Sequence, residues 1–265
     1  MSEPLLYDVA DRIATITFNR PDRMNTITRR MLEQFSELLL QADRDPEVRA
    51  IIITGNGRAW CAGLDLAAAQ AGDAFESDGA PPPPPGEFDL REAPPIVLNK
   101  IDTPTIAALN GGAAGYGMDL ALGCDLRIAS TKAKLSAAYT ARNLVPESGG
   151  TWLLPRIIGW SQAADLLFTA RTLTADEALD MGLVSEVVEP EALGDAARML
   201  GGRIAANGPL AVRAAKRMMR HAMTEDFEDH VQRQYLTLMP LFATKDFREG
   251  IAAYMEKREA NFTGE

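Results

Sequence analysis

Histidine is nearly absent from this chain of 265 residues, which holds only His221 and His230. Both fall in C-terminal stretches of helical pattern. A Ser–His–Asp hydrolase needs an imidazole to take the nucleophile's proton, so Ser136 and Ser148 are poor candidates for that chemistry. Cysteine is equally scarce. Cys61 and Cys124 show neither metal-ligand spacing nor a disulfide framework, a usage that fits a reducing, cytoplasmic setting. Basic residues are outnumbered, 27 Lys and Arg against 37 Asp and Glu, for a net charge of −10. That field repels a phosphate backbone, and no nucleic-acid partner is expected. One basic stripe, Arg213, Lys216, Arg217 and Arg220, reads as a solvated helix face or a subunit contact. No apolar run reaches the length of a membrane span, and Met1-Ser2-Glu3-Pro4-Leu5 lacks the regions of a signal peptide, so no membrane partner is expected. No His/Asp/Glu cluster has metal spacing and no glycine turn carries a Lys-Ser/Thr phosphate loop, so no metal site is expected.

What is present is an ordinary globular composition, 46% hydrophobic and 24% charged, with two unusual turns. They are Trp60-Cys61-Ala62-Gly63-Leu64-Asp65 and Gly111-Gly112-Ala113-Ala114-Gly115-Tyr116-Gly117-Met118-Asp119. Each follows an apolar run, Ile51 to Thr54 and Thr105 to Leu109, and each reads as strand, glycine turn, helix start. Glycine lets backbone approach a ligand closely, and a helix N-terminus offers unpaired N–H donors. Two such turns can aim two amides at one oxygen and stabilise an oxyanion.

The rest of the chain organises around them. Residues 5–18 read as a hairpin about Asp11-Arg12, and Thr28 caps a helix whose apolar face runs from Met31 to Ala42. Residues 67–100 break the rhythm with Pro81 to Pro85 and Gly86, a stretch that continues neither helix nor central strand. This flexible excursion reads as a surface insertion or as a lid over the first turn. From residue 148 the pattern is mostly helical, with final helices over 209–222, 225–242 and 246–260. The economical division is an α/β core over 1–200 and a helical region over 201–265.

An oxyanion hole polarises a carbonyl but moves no proton, so nearby acids matter. Asp119 sits at the helix start after Gly117, and Glu147 lies in Leu144-Val145-Pro146-Glu147-Ser148-Gly149-Gly150. Either acid could instead serve the amides of a helix start.

Several ordered motifs together resemble the crotonase superfamily, the enoyl-CoA hydratase/isomerase family. They are Asn19-Arg20-Pro21-Asp22-Arg23-Met24-Asn25, Gly57 to Leu66, Asn110 to Asp125, Gly149 to Arg156, and Phe247-Arg248-Glu249-Gly250 with Lys257-Arg258. The resemblance implies a spiral of repeated ββα units followed by a C-terminal helical trimerisation region, giving a homotrimer or a dimer of trimers. It implies an acyl-CoA thioester substrate, with coenzyme A as part of the substrate and no separate cofactor. Matched by position, the oxyanion-hole amides are those of Leu64 and Tyr116, and Arg23, Met24, Arg58 and Ala62 stand at the CoA-binding positions.

The departures bear on the reaction. Hydratases of this family use two glutamates; Asp119 fills the first position and Tyr139 the second. A tyrosine is a poor base at neutral pH, and Tyr139 reads as an apolar wall of the substrate pocket. Glu147 falls at a third, acidic position resembling that of the family's dienoyl-CoA isomerases. The expectation is therefore proton transfer by Glu147 assisted by Asp119, with double-bond isomerisation preferred to hydration. A binding protein that kept the pocket and lost the reaction is the reading from another class.

Overall fold

The computed structural model describes residues 3–65 and 90–265. Strands β1 (Leu5–Ala10) and β2 (Ile13–Phe18) form the expected antiparallel hairpin. Asp11 and Arg12 both take positive φ, 51° and 65°, the twist that a two-residue hairpin turn requires. Helix α1 (Arg29–Arg44) follows, and its N-cap Thr28 accepts from the Met31 amide. Its buried face of Met31, Phe35, Leu39 and Ala42 packs on the sheet.

Next the chain alternates between two sheets. β3 (Ala50–Gly55), β5 (Thr105–Leu109) and β7 (Leu126–Ser130) join β1 and β2 in a six-stranded sheet closed by β10 (Glu186–Val188). β4 (Ala59–Cys61), β6 (Gly112–Ala114) and β8 (Lys134–Ser136) enter a four-stranded sheet with β9 (Thr172–Thr174). Successive pairs β3–β4, β5–β6 and β7–β8 thus each give one strand to each sheet, which is a spiral of ββα units. Helices α2 (Pro94–Lys100), α3 (Tyr116–Gly123), α4 (Gly150–Ile158), α5 (Trp160–Thr169) and α6 (Ala175–Asp180) fill the connections.

The six-stranded sheet is covered on both faces, which is why its strands read as continuous apolar runs. Ile51 and Ile53 of β3 face the main core with Phe18, Phe35 and Trp60, while Ile52 faces a second core with Ile106 and Ile128. That second core is closed by Leu193, Ala196 and Ala197 of α7 (Leu193–Ala205). The division at residue 200 falls inside α7. Helices α8 (Pro209–Ala222), α9 (Phe227–Leu241) and α10 (Lys245–Glu256) complete the chain. The last ends earlier than its periodicity suggests, because Lys257 turns left-handed at φ 56°.

Two expectations change. The excursion does not extend to residue 100: α2 begins at Pro94, since proline is tolerated in a first helical turn and Val97 and Leu98 are buried. The Pro81–Pro85 run and the expectation of a lid lie outside the described residues. The basic stripe of α8 is not simply a solvated face, although Arg217 stays exposed. Arg213 donates to Asp43 at 2.8 Å, Lys216 pairs with Asp125 at 2.7 Å, and Arg220 reaches Asp102 at 2.5 Å. Arg217 Nε also donates to Asp102, at 2.9 Å. The stripe fastens α8 to the N-terminal edge of the core. No helix among the described residues is long and apolar enough to cross a membrane.

Candidate active site

Parallel pairing of β4 with β6, Ala59 opposite Gly112 and Cys61 opposite Ala113, brings the two glycine turns to the same end of the smaller sheet. They meet backbone to backbone. A β-carbon on Gly117 would drive into the Cys61 carbonyl, and one on Gly63 would lie 2.6 Å from the Ala114 oxygen and 3.5 Å from the Tyr116 nitrogen. Only glycine allows that approach.

Neither of the two amides named from sequence donates to an acceptor among the described residues. Gly63 C=O accepts from Ile27 N–H at 2.9 Å; in a trans peptide the Leu64 N–H points the opposite way. Gly115 C=O accepts from Asp119 N–H at 3.1 Å and begins α3. The Tyr116 N–H, on the other side of that peptide, heads the helix with no intrahelical acceptor. Tyr116 itself is buried.

The acids are unlike each other. Asp119 is buried, and its Oδ2 accepts from Ser148 Oγ at 2.7 Å, Tyr139 OH at 2.9 Å and Gly150 N–H at 3.2 Å. Burial pushes its carboxyl above the usual range against the pull of these donors. Tyr139 is therefore not an apolar wall: its ring is buried but its hydroxyl is spent on Asp119. Desolvation and then the Asp119 charge keep Tyr139 protonated far above neutrality. Sequence reasoning missed Ser148, weighed there only as a nucleophile; its signal was adjacency to Glu147 in a Pro-Glu-Ser-Gly-Gly turn.

Glu147 is solvent-exposed, and no other side chain among the described residues donates to it. Partial desolvation pushes its carboxyl up, its own backbone amide pulls back, and the Asp119 charge raises it further. Its charge is felt at Tyr116 and Tyr139, both of which it pushes up. Cys61, behind the turn, is a buried thiol pushed up to about 12 by desolvation, so it supplies no thiolate.

The four positions matched to CoA binding also converge. A short 3-10 turn over Pro21–Arg23 leads to Met24, left-handed at φ 55°. Met24 C=O accepts from the Ala62 amide at 3.1 Å, and Arg58 Nε donates to Met24 Sδ at 2.6 Å. Arg23 is exposed and has no carboxylate partner among the described residues. Asn25, given no role from sequence, is fully buried and ties the segment down: its side chain accepts from Arg20 N–H at 2.8 Å and donates to Asn56 and Ala59 carbonyls at 2.9 and 2.7 Å. Among the described residues no group of three His, Cys, Asp or Glu could hold a metal ion.

Comparison with known proteins agrees with this architecture. The family model described as enoyl-CoA hydratase/isomerase matches residues 8–265. This chain belongs to that family, within the crotonase superfamily. Its fold is the crotonase fold: a crystal structure of an enoyl-CoA hydratase from Bacillus anthracis superposes with a TM-score of 0.88 at 33% identity, covering 99% of this chain and 100% of the other. The chain is 37% identical to 1,2-epoxyphenylacetyl-CoA isomerase of Escherichia coli over 100% of both chains. It is 36% identical to crotonyl-CoA hydratase of Syntrophomonas wolfei over 98% of both. Relatives at nearly equal distance thus carry names from two reactions, and the chain is an acyl-CoA enzyme of hydratase/isomerase type.

Proposed function

We propose that this enzyme moves a double bond along the acyl chain of an enoyl-CoA thioester, with Glu147 as the acid–base. The thioester oxygen accepts from the Leu64 and Tyr116 amides. The Glu147 carboxylate takes a proton from the α- or γ-carbon, and the C–H electron pair passes into the enolate. The same carboxyl returns the proton to the other carbon. Coenzyme A enters as part of the substrate, and the step balances with protein amides and one carboxylate. Asp119 assists through its charge. Arg23 and Arg58, with the Met24–Ala62 backbone, cradle the CoA phosphates and adenine end.

The observation that carries this reading is the contrast between an engaged Asp119 and an unengaged Glu147 beside two outward-facing amides. Hydration by Asp119 and Glu147 acting together is the second reading, supported by relatives named as hydratases. Assembly belongs to the same proposal: Phe227, Tyr235, Leu236, Met239, Tyr254 and Met255 are exposed on α9 and α10, an apolar face suited to a homotrimer or a dimer of trimers.

Isomerisation and hydration assays on short, medium and aromatic enoyl-CoA substrates test the assignment. Glu147→Gln should lower turnover on the best substrate by about 10²–10⁴-fold, the usual worth of a positioned acid–base. Full turnover in that variant overturns it.

A further inference from the structure

Both ends of the segment carrying Glu147 donate to one carboxylate oxygen of Asp119. Ala138 takes a left-handed φ of 51° immediately before Tyr139, and Gly149 takes 101° immediately after Ser148. Alanine in such a conformation is uncommon and costs energy, whereas glycine adopts it freely, so the Ala138 end of the segment is held by its contacts. Both ends meet at Asp119. Its Oδ2 collects Tyr139, Ser148 and the Gly150 amide, and the two hydroxyls stand 3.5 Å from each other. Its other oxygen lies against Gly150, where a β-carbon would collide with Oδ1. Oδ2 is thus taken up by three protein donors, and Oδ1 packs against the Gly150 backbone.

We propose that Ser148 and Tyr139 are positioning residues: they tether the Glu147 turn to Asp119, and the tether withdraws Asp119 from proton transfer, leaving Glu147 to remove and return the proton alone. This inference rests on Glu147 being the acid–base. It changes the meaning of Asp119 from a second proton carrier to a fixed anchor. The groups facing Glu147 are Asp119, Tyr116 and Tyr139. The tyrosines stay neutral, so Asp119 is the charge that the tether controls. Loss of either hydroxyl raises Asp119, weakens its negative charge near neutrality, and lets Glu147 titrate lower.

The test uses full-length Ser148→Ala, Tyr139→Phe, their double variant, and Asp119→Asn, beside Glu147→Gln. Each single hydroxyl variant should lose about tenfold in kcat with little change in KM, because a misplaced base costs rate and not binding. The double variant should lose less than the product of the two, since both act through one oxygen. The acid limb of the kcat profile should move to lower pH in all of them and in Asp119→Asn. With substrate deuterated at the carbon that loses the proton, the fraction of label carried into product should match the wild-type fraction in every active variant. Asp119→Asn as inactive as Glu147→Gln, an altered label fraction, or wild-type kcat in both hydroxyl variants would overturn the inference alone. Full turnover in Glu147→Gln would instead remove the reading beneath it.

Discussion

The two ends of β5 use carboxylates in opposite ways. Where the strand begins, Asp43 and Asp102 meet guanidinium groups on α8. Burial opposes their ionisation, but hydrogen bonds and charge from Arg213, Arg217 and Arg220 outweigh it and hold both below the usual carboxylate range. Past its other end, Asp119 and Glu147 have hydroxyls and amides for company and no cation among the described residues, and both are pushed up. A carboxylate beside a cation is fixed in one charge state and serves structure. A carboxylate desolvated without one holds its proton more readily, which suits proton transfer where its oxygens are left open, as at Glu147, and not where donors occupy them, as at Asp119.

The sharpest way to break this contrast is at the backbone that creates the site. Gly117→Ala must push the Cys61 carbonyl aside; it should cost about 3 kcal/mol of stability, as severe overpacking does, and, if the Tyr116 amide holds the thioester oxygen as proposed, about 10²-fold in kcat. Chemical denaturation and steady-state kinetics read the two losses. At the docking end, Asp102→Asn should cost about 2 kcal/mol by weakening hydrogen bonds to charged partners, while kcat stays near wild type. Its sign with pH follows from the lowered pKa values: the stabilisation from Asp43 and Asp102 is present above their unfolded values and fades as pH falls through the lowered folded ones. Asp119 and Glu147 act in the other sense, taking stability away as pH rises through the carboxylate range toward their raised values. The acid side of the stability curve should therefore flatten in Asp102→Asn, and a slope identical to wild type would contradict the assignment. The smallest effect belongs to exposed Arg23: Arg23→Gln should raise KM about fivefold, or about 1 kcal/mol, with kcat unchanged, as a screened ionic contact to phosphate predicts.

Much of this was legible in the residues. The Asp11-Arg12 hairpin, the Thr28 cap and the strands read at 49–54 and 105–109 follow from local periodicity and capping chemistry, the first of these strands found at Ala50–Gly55. The short strands β4 and β6 were not legible, because three residues such as Gly112-Ala113-Ala114 carry no readable alternation. Their pairing comes from the partner strand. The partners of the α8 stripe were hidden for a related reason: Arg213 and Asp43 are 170 residues apart, and charge pattern alone describes a helix without saying what it faces. Tyr139 was read as apolar because its hydroxyl's acceptor stands 20 residues away, on a different element.

By itself, then, the amino-acid sequence determined where glycine must stand, which helices and strands form, and which acids are available near the turns. These are properties of single residues and short spacings. Only the tertiary structure decided that Asp119 is held by three donors while Glu147 is left open, and that the basic stripe is consumed inside the molecule. Charge state and hydrogen-bond supply depend on neighbours distant in the chain, and folding alone brings those neighbours together.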